Sequence, residues 1–168
     1  MDPSTNSDPL SDFIPDLPQA ETSRPCPIKC DLVFQVTNIE PCLGKISQDN
    51  DARDPNKKML KLTWSLLTEA QNVAGSKLVP AGWTLDDYVL LYQPPQAEGK
   101  KPFDFTAAVA RRYDALFGTT DETRPGDYAK QLSRSVGRKA VLNGEPKEDG
   151  VFGWKWEIKK YKVAPAGA

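Results

Sequence analysis

Alternating apolar and polar residues predict three β-strands in the first half of the chain. In 57–70, KKMLKLTWSLLTEA, every second residue from position 60 to position 66 is apolar, a period of two that is typical of a half-buried strand. The segment 29–45 is rich in β-branched and aromatic residues and ends at a proline and a glycine. The segment 82–95, GWTLDDYVLLYQPP, supplies a third strand that two prolines stop. Between the first two strands, 47–56 has the composition of a solvated loop.

The second half changes from a helical period back to alternation. Residues 103–118, FDFTAAVARRYDALFG, predict a helix with Asp104 as its cap and Gly118 as its stop. A further helical turn or two is predicted in 124–132, followed by a hairpin of two strands, 137–146 and 151–163. In the last strand strict alternation predicts one apolar face, formed by Phe152, Trp154, Trp156 and Ile158. The opposite face carries Val151, Lys155, Glu157, Lys159 and Tyr161.

Three strands, a helix and two more strands form the order expected of a five-stranded Greek-key barrel of the OB type, with the helix between strands 3 and 4. The fold class predicted from the sequence is therefore mainly β. An SH3-like barrel or a β-sandwich remains an alternative, although neither expects a helix at that point. The barrel is predicted to span residues 29–164.

Charge and proline content set the N-terminal segment apart from this domain. Residues 1–27 contain five acidic residues, one arginine and six prolines, which predicts a disordered acidic tail over 1–28. The whole chain has 22 basic and 23 acidic residues, so without these 27 residues the remainder carries a net charge of about +3. Residues 165–168 are predicted to be a short flexible end. An acidic arm on a mildly basic body favours a polyanionic partner.

The chain lacks histidine, which excludes Ser-His-Asp and Cys-His catalysis and the common zinc hydrolase sites. Three irregularly spaced cysteines predict reduced thiols rather than a disulfide framework. We therefore expect a protein that is not an enzyme and has no metal site and no cofactor. A metal-dependent nuclease using Asp86 and Asp87 is a distant alternative. No apolar run approaches the ~20 residues that span a bilayer, and the N-terminus lacks a secretory signal, so the expectation is an intracellular protein with no membrane partner.

Lysine and arginine interleave with aromatic residues along the predicted barrel. Grooves that bind single-stranded nucleic acid combine cations that follow the phosphates with aromatic faces that stack on bases. Trp154 and Trp156 are either core residues or part of that surface, and alternation does not decide between the two. The candidate nucleic-acid-binding residues are Lys57, Lys61, Trp64, Arg111, Arg112, Arg138, Lys139, Trp154, Lys155, Trp156, Lys159 and Tyr161.

The body contains five short motifs: KKMLKLTWSLL, GWTLDDYVLLYQ, a helix ending RRYDALFG, the strand start GRKAVL at 137–142 and the ending EIKKY at 157–161. Together these motifs resemble those of small phage-encoded single-stranded-DNA-binding proteins. The resemblance covers roughly 29–164 and implies an OB fold that coats and protects single-stranded DNA in phage DNA replication or recombination. It also implies a location in the cytoplasm of an infected bacterial host. RNA as a ligand and a homo-oligomeric state are left open.

The acidic tail contains the segment SDPLSDFIPDLP at 7–18, in which Phe13, Ile14 and Leu17 stand among aspartates. Bacterial single-stranded-DNA-binding proteins resemble this chain in pairing an OB domain with an acidic, partly apolar tail, but they carry it at the C-terminus. We expect these three residues to recruit replication or recombination proteins, or the tail to compete with DNA for the basic groove. The rival function is a protein–protein interaction module, such as a virion or replisome adaptor, built on the same barrel.

Overall fold

The computed structural model describes residues 10–17, 24–75, 77–96, 98–150 and 153–168, and the described chain is mainly β. The strands are β1 (Cys30–Ser47), β2 (Asn50–Leu66), β3 (Thr84–Leu90), β4 (Lys139–Asp149) and β5 (Gly153–Val163). Helices α1 (Phe105–Phe117) and α2 (Tyr128–Gln131) lie between β3 and β4, and a 3-10 turn at Leu132–Arg134 follows α2.

All five strands belong to one antiparallel sheet in the order β3-β2-β1-β4-β5. Among the described residues no backbone pairing joins β3 to β5, so the sheet is open and the expected closed barrel is not formed. Side chains occupy the space between these two edges instead. The Tyr161 hydroxyl donates to Asp87 Oδ2 at 2.8 Å, and α1 packs against both edge strands.

The core lies on the face of the sheet that α1 covers, here called the inner face. Leu62, Trp64 and Leu66 of β2 are fully buried there, as alternation predicts. From α1 the buried residues include Val109, Tyr113 and Leu116. The helix begins at a side-chain cap, because Asp104 Oδ1 accepts a hydrogen bond from the Ala107 N–H at 3.1 Å. It ends at Gly118, whose φ of 69° is a left-handed conformation that glycine adopts without strain.

The hairpin of β1 and β2 is longer than the sequence predicts. Most of the expected loop at 47–56 continues the two strands, and only two residues separate Ser47 from Asn50. The ammonium group of Lys57 donates to the carbonyl oxygens of Lys45 and Ile46 at 2.8 and 3.2 Å. Cross-strand contacts therefore override the turn-forming composition of this segment.

The packed body begins slightly before residue 29, the predicted boundary. Cys26 is 1% exposed, the Ile28 N–H donates to the Gln71 carbonyl at 3.1 Å, and the Val73 N–H donates to the Cys26 carbonyl at 2.8 Å. Residues 10–17 of the predicted tail are exposed, whereas 1–9 and 18–23 lie outside the described residues. At the other end, the Ala168 N–H closes a turn onto the Pro165 carbonyl at 3.1 Å.

A β-bulge in β5 makes the strict alternation predicted for this strand wrong. Lys160 pairs with Asn143 and Ile158 pairs with Gly144, so Lys159 is an extra residue in β5. Beyond the bulge, each side chain of β5 points to the face opposite the one that strict alternation predicts. Tyr161 therefore lies on the inner face together with Trp154 and Trp156, and not on the opposite face. The predicted core position of Phe152, like Val151, falls outside the described residues.

Candidate nucleic-acid interface

Two of the tryptophans predicted to stack on bases are core residues. Trp64 is fully buried, and its Nε1–H donates to Asp87 Oδ2 at 3.2 Å. Trp156 is 8% exposed, its Nε1–H donates to the Ile28 carbonyl at 3.1 Å, and its ring packs on Phe34 with 5.6 Å between centroids. The Trp64 ring is fully enclosed, so its assignment to a binding surface is wrong. Trp156, which alternation left open between core and surface, is a core residue with one edge at a cavity between β3 and β5.

Arg112 and Tyr161 are also internal, because both bind the carboxylate of Asp87. Arg112 donates from Nε to Asp87 Oδ2 at 2.9 Å and from Nη2 to Oδ1 at 2.8 Å, and its guanidinium lies 4.6 Å from the centre of the Tyr161 ring. Burial alone lowers the pKa of Arg112, but the hydrogen bonds and charge of Asp87 more than offset it and the pKa is raised. Burial, together with the charge of Asp87, raises the pKa of Tyr161 well above its usual value. Both residues hold the fold together rather than line a groove.

The paired aspartates do not form a metal site. Asp87 points to the inner face, whereas Asp86 points outward and accepts a hydrogen bond from the Thr63 hydroxyl at 3.2 Å. Within the described ranges, no three acidic or cysteine side chains converge as metal ligands. The nuclease alternative therefore has no support from the geometry.

Three predicted lysines contact neighbouring groups but remain at the surface. Lys57 binds main-chain carbonyls, as described above. The Lys61 ammonium lies 2.8 Å from Glu40 Oε1, and that of Lys159 lies 3.2 Å from Glu157 Oε1, hydrogen bonds that raise the pKa of both lysines. Because exposed ion pairs of this kind are weak, a phosphate group can replace either carboxylate.

The other predicted cations lie on different parts of the surface. Arg111, on α1, lines a cavity of about 500 Å³ that also contains three carboxylates. The Arg138 guanidinium lies 4.0 Å from the centre of the Phe117 ring, and Lys139 donates to the main-chain oxygen of Ala168 at 2.6 Å. The structure does not bring Arg111 or Arg138 together with the rest of the predicted groove, whereas Lys139 lies on the outer side of β4, the strand that pairs with the strand of Lys155 and Lys159.

A cavity of about 690 Å³ lies on the outer face of the sheet, where the β1–β2 hairpin meets β3. Lys45, Arg53 and Lys61 contribute cations to its lining, and Tyr88, with 52% of its surface exposed, contributes an aromatic ring. Lys45, Arg53 and Tyr88 were not predicted from the sequence. The alternation of β3 was a signal for Tyr88, since it places that ring opposite the buried Asp87 and Val89.

A second cavity, of about 280 Å³, opens between the edge strands β3 and β5. Trp83 and Trp154 line it with partly exposed rings, and Lys155 lies beside them. The prediction that Trp154 and Lys155 belong to a surface site is compatible with these positions. Trp83, the residue before β3, was not predicted as a site residue.

These two cavities adjoin at β3, the first on its outer face and the second around its free edge, where Trp83 and Trp154 approach from the inner face. Asp86 lines the second and Tyr88 the first, and outward residues two apart on a strand are separated by about 7 Å. We call this surface the β3 groove; its members are Lys45, Arg53, Lys61, Tyr88, Trp83, Trp154 and Lys155. Its three aromatic rings and four cations can stack on bases and contact phosphates.

The apolar residues of the acidic segment 10–17 are exposed. Phe13 has 85% of its surface exposed, Leu17 75% and Ile14 63%, and the N–H groups of Phe13 and Ile14 both donate to the Leu10 carbonyl. The segment thus forms a turn that presents large apolar side chains among carboxylates. Its proposed role in partner binding stays a prediction.

The cysteines Cys26, Cys30 and Cys42 are free thiols. Burial raises the pKa of Cys26 to about 11, which makes it a poor nucleophile at neutral pH. The helices in the described parts of the chain are too short or too polar to cross a bilayer.

Comparison with known proteins does not assign the chain to a family. No family model matches it, and no curated protein matches it in sequence. Its function is therefore argued from the β3 groove and the charges around it.

Proposed function

We propose that the chain binds single-stranded DNA without sequence preference in the β3 groove, and so coats and protects the strand during phage DNA replication or recombination. The observation that carries the proposal is the exposed ring of Tyr88 beside Lys45, Arg53 and Lys61 on the outer face of the sheet. Around the free edge of β3 this surface continues to the partly buried rings of Trp83 and Trp154, with Lys155 beside them. Stacking of a base on an aromatic ring contributes about 1–3 kcal/mol, and it requires bases that are not already paired in a duplex. The phosphate contacts add an affinity that decreases as salt increases.

We further propose that the open sheet is an OB-type Greek key. The strand pairing supports this, because β1 pairs with β2 and β4 while β3 and β5 remain as edges. OB folds are partly open barrels that bind oligonucleotides on the face of strands 2 and 3, between the loop joining strands 1 and 2 and the loop joining strands 4 and 5. In this chain the first cavity adjoins the β1–β2 hairpin and the second adjoins the β4–β5 hairpin.

The proposal is tested by fluorescence anisotropy with a labelled oligo-dT of about 30 bases and a duplex of equal length, each at low and moderate salt. We expect the single strand to bind more tightly than the duplex, with affinity falling as salt rises. Tyr88→Ala should weaken binding by about 5- to 150-fold, the equivalent of one lost stacking contact. Phe103→Ala removes an exposed ring outside the groove and serves as the matched control.

Failure of the wild-type chain to bind the single strand at low salt would refute the function. Equal losses in Tyr88→Ala and Phe103→Ala would refute the groove while leaving the function in place. Tyr88 is suited to this test because it stands on the outer face and is not part of the hydrophobic core, so its truncation is expected to leave the fold intact.

A protein–protein interaction module, such as a virion or replisome adaptor, is the second candidate. The exposed apolar side chains of segment 10–17 favour it, since such side chains among carboxylates suit a groove that is apolar inside and basic at its rim. On this alternative the chain binds no oligonucleotide at any salt concentration. The anisotropy experiment therefore separates the two functions.

A further inference from the structure

A lysine-rich surface lies on the outer side of the sheet, separate from the β3 groove. We call it the β4–β5 face. Alternation from the buried Ala140, Leu142 and Trp156 determines which side chains point outward. Its basic residues are Lys139, Lys147, Lys155, Lys160 and Lys162, together with Lys159 at the bulge and Lys29, whose ammonium lies 4.0 Å from Glu145. Its acidic residues are Asp31, Glu145, Asp149 and Glu157.

These residues concentrate the positive charge of the body. The face carries three more cations than carboxylates, and the net charge of residues 28–168 is also about +3. The Lys162 ammonium lies 3.0 Å from Asp31 Oδ2. Glu157 forms ion pairs with Lys147 and Lys159, and Glu145 forms one with Lys159. Over the described parts of the chain, Lys155 and Lys160 form no ion pair within 4 Å. Even with every pair intact, the face retains an excess of positive charge that attracts polyanions.

The β4–β5 face differs from the β3 groove in that none of its described residues presents an outward aromatic ring. Its central apolar residues are Val33 and Val141, which pair with each other across β1 and β4. Such a surface can hold phosphate groups, but it cannot stack on bases. It therefore suits a segment of nucleic acid backbone rather than a base-binding site.

Lys155 joins the two surfaces. It lines the second cavity of the β3 groove, and in the register of β4 and β5 it stands directly across from Lys147, at the end of the β4–β5 face. A strand that leaves the groove past Trp154 therefore meets Lys155 and then the outer lysines. From Lys147 to Lys139 the face extends eight residues along β4, or about 27 Å.

We propose that the β4–β5 face is a second contact surface for the phosphate backbone of the strand that the β3 groove binds, so that one strand passes over the edge of β5 and covers both. The inference rests on the proposed function and adds to it the path and the length of the bound strand. At the 3.4 Å per nucleotide of one strand of a duplex, about eight nucleotides fit along the face, and fewer when the strand is extended. A long oligonucleotide then contacts both surfaces, and a short one binds only in the aromatic groove.

The test compares a triple variant, Lys147→Gln, Lys160→Gln and Lys162→Gln, with a control of equal charge change. Lys100→Gln, Lys101→Gln and Lys130→Gln provide that control, since all three are exposed and lie away from the β4–β5 face. Each protein is titrated with oligo-dT of about 30 and about 8 bases at about 50 and 200 mM salt. Far-UV circular dichroism and light scattering check that the variants are folded and monodisperse.

For the longer oligonucleotide, we expect the triple variant to lose about 2 units of the slope of log affinity against log salt, since each phosphate contact on a single strand contributes about 0.7. The wild type then loses about 20-fold more affinity than the variant between the two salt concentrations. The shorter oligonucleotide should bind both proteins within about twofold, because its stacking contacts remain. The control variant should behave as the wild type with both lengths.

Unchanged binding of the longer oligonucleotide by the triple variant would overturn the inference. So would equal losses with both lengths, which would mean that the lysines act on the groove through net charge alone. Aggregation of the triple variant without any change in DNA affinity would instead assign the lysines to protection of the edge strand β5, and would overturn the inference too. Absence of wild-type binding refutes the proposed function itself, whereas the other outcomes leave it standing.

Discussion

Replacing Asp87 by alanine should strongly destabilise the fold, because the carboxylate joins β3 to both α1 and β5. It accepts two hydrogen bonds from Arg112, at 2.8 and 2.9 Å, one from Tyr161 at 2.8 Å and one from Trp64 at 3.2 Å. The side chain of Arg112 is only 11% exposed, so the substitution leaves a buried guanidinium without its counter-ion.

The expected magnitude follows from that burial. Removing one partner of a buried ion pair costs about 3–5 kcal/mol, whereas a domain of this size has a total stability of about 5–15 kcal/mol. Asp87→Ala should therefore remain folded at 25 °C with a much reduced free energy of unfolding. The double variant Asp87→Ala, Arg112→Met should lose less than Asp87→Ala alone, because it removes the unpaired charge as well and leaves only the donors of Tyr161 and Trp64 without a partner, at about 1–3 kcal/mol.

Urea unfolding followed by far-UV circular dichroism measures these differences without depending on the fluorescence of Trp64, which contacts the substituted side chain. Asp86→Ala is the matched control. Asp86 is adjacent in sequence and has the same side chain, but it points outward, so its loss should change stability by no more than about 0.5 kcal/mol. A loss below about 1 kcal/mol in Asp87→Ala, or a double variant less stable than the single one, would refute the reasoning.

Two further substitutions test the packing of β4 against β5 and the state of Tyr161. A Cβ at Gly144 would lie 2.6 Å from the ring of Trp156, so Gly144→Ala should lower the free energy of unfolding by about 1–3 kcal/mol. Gly126→Ala is the control, because a Cβ there meets nothing within 4 Å and the free energy of unfolding should not fall. Equal urea midpoints for the two variants would contradict this prediction. Burial and the charge of Asp87 raise the pKa of Tyr161, so its contribution to stability is complete below the unfolded pKa of about 10 and is lost as the pH rises above it. Tyr161→Phe should therefore be less stable at pH 8 but lose less stability towards pH 11, and parallel pH profiles for the two proteins would count against the assignment.

Local sequence patterns predicted the parts of the fold that depend on neighbours along the chain. Alternation in 57–70 correctly predicted a strand with Leu62, Trp64 and Leu66 buried, because a strand with one buried face imposes a period of two whatever its partners are. The ends of α1 were predictable in the same way, since Asp104 and Gly118 act on backbone groups within one turn.

The candidate site was predicted less well, because its residues are brought together by pairing between distant strands. The charge and aromatic content of the body indicated a nucleic-acid ligand, and Trp154, Lys155 and Lys61 do line the β3 groove. Nothing in the sequence near Trp64 or Arg112 indicates that both point at Asp87. The sequence by itself could not separate aromatic residues of the core from those of the surface.

The last strand shows which features the local sequence determines and which depend on the tertiary structure. The sequence alone determined that Gly153–Val163 would form a strand with tryptophans on one face, that α1 would end at Gly118, and that an acidic segment would precede a mildly basic body. Tertiary structure alone decided that a bulge at Lys159 turns Tyr161 inward, that Trp156 packs on Phe34 and Gly144, and that β3 and β5 stay apart. A one-residue shift of register reverses every side chain beyond it, and that shift depends on the partner strand β4, whose pairing no local pattern records.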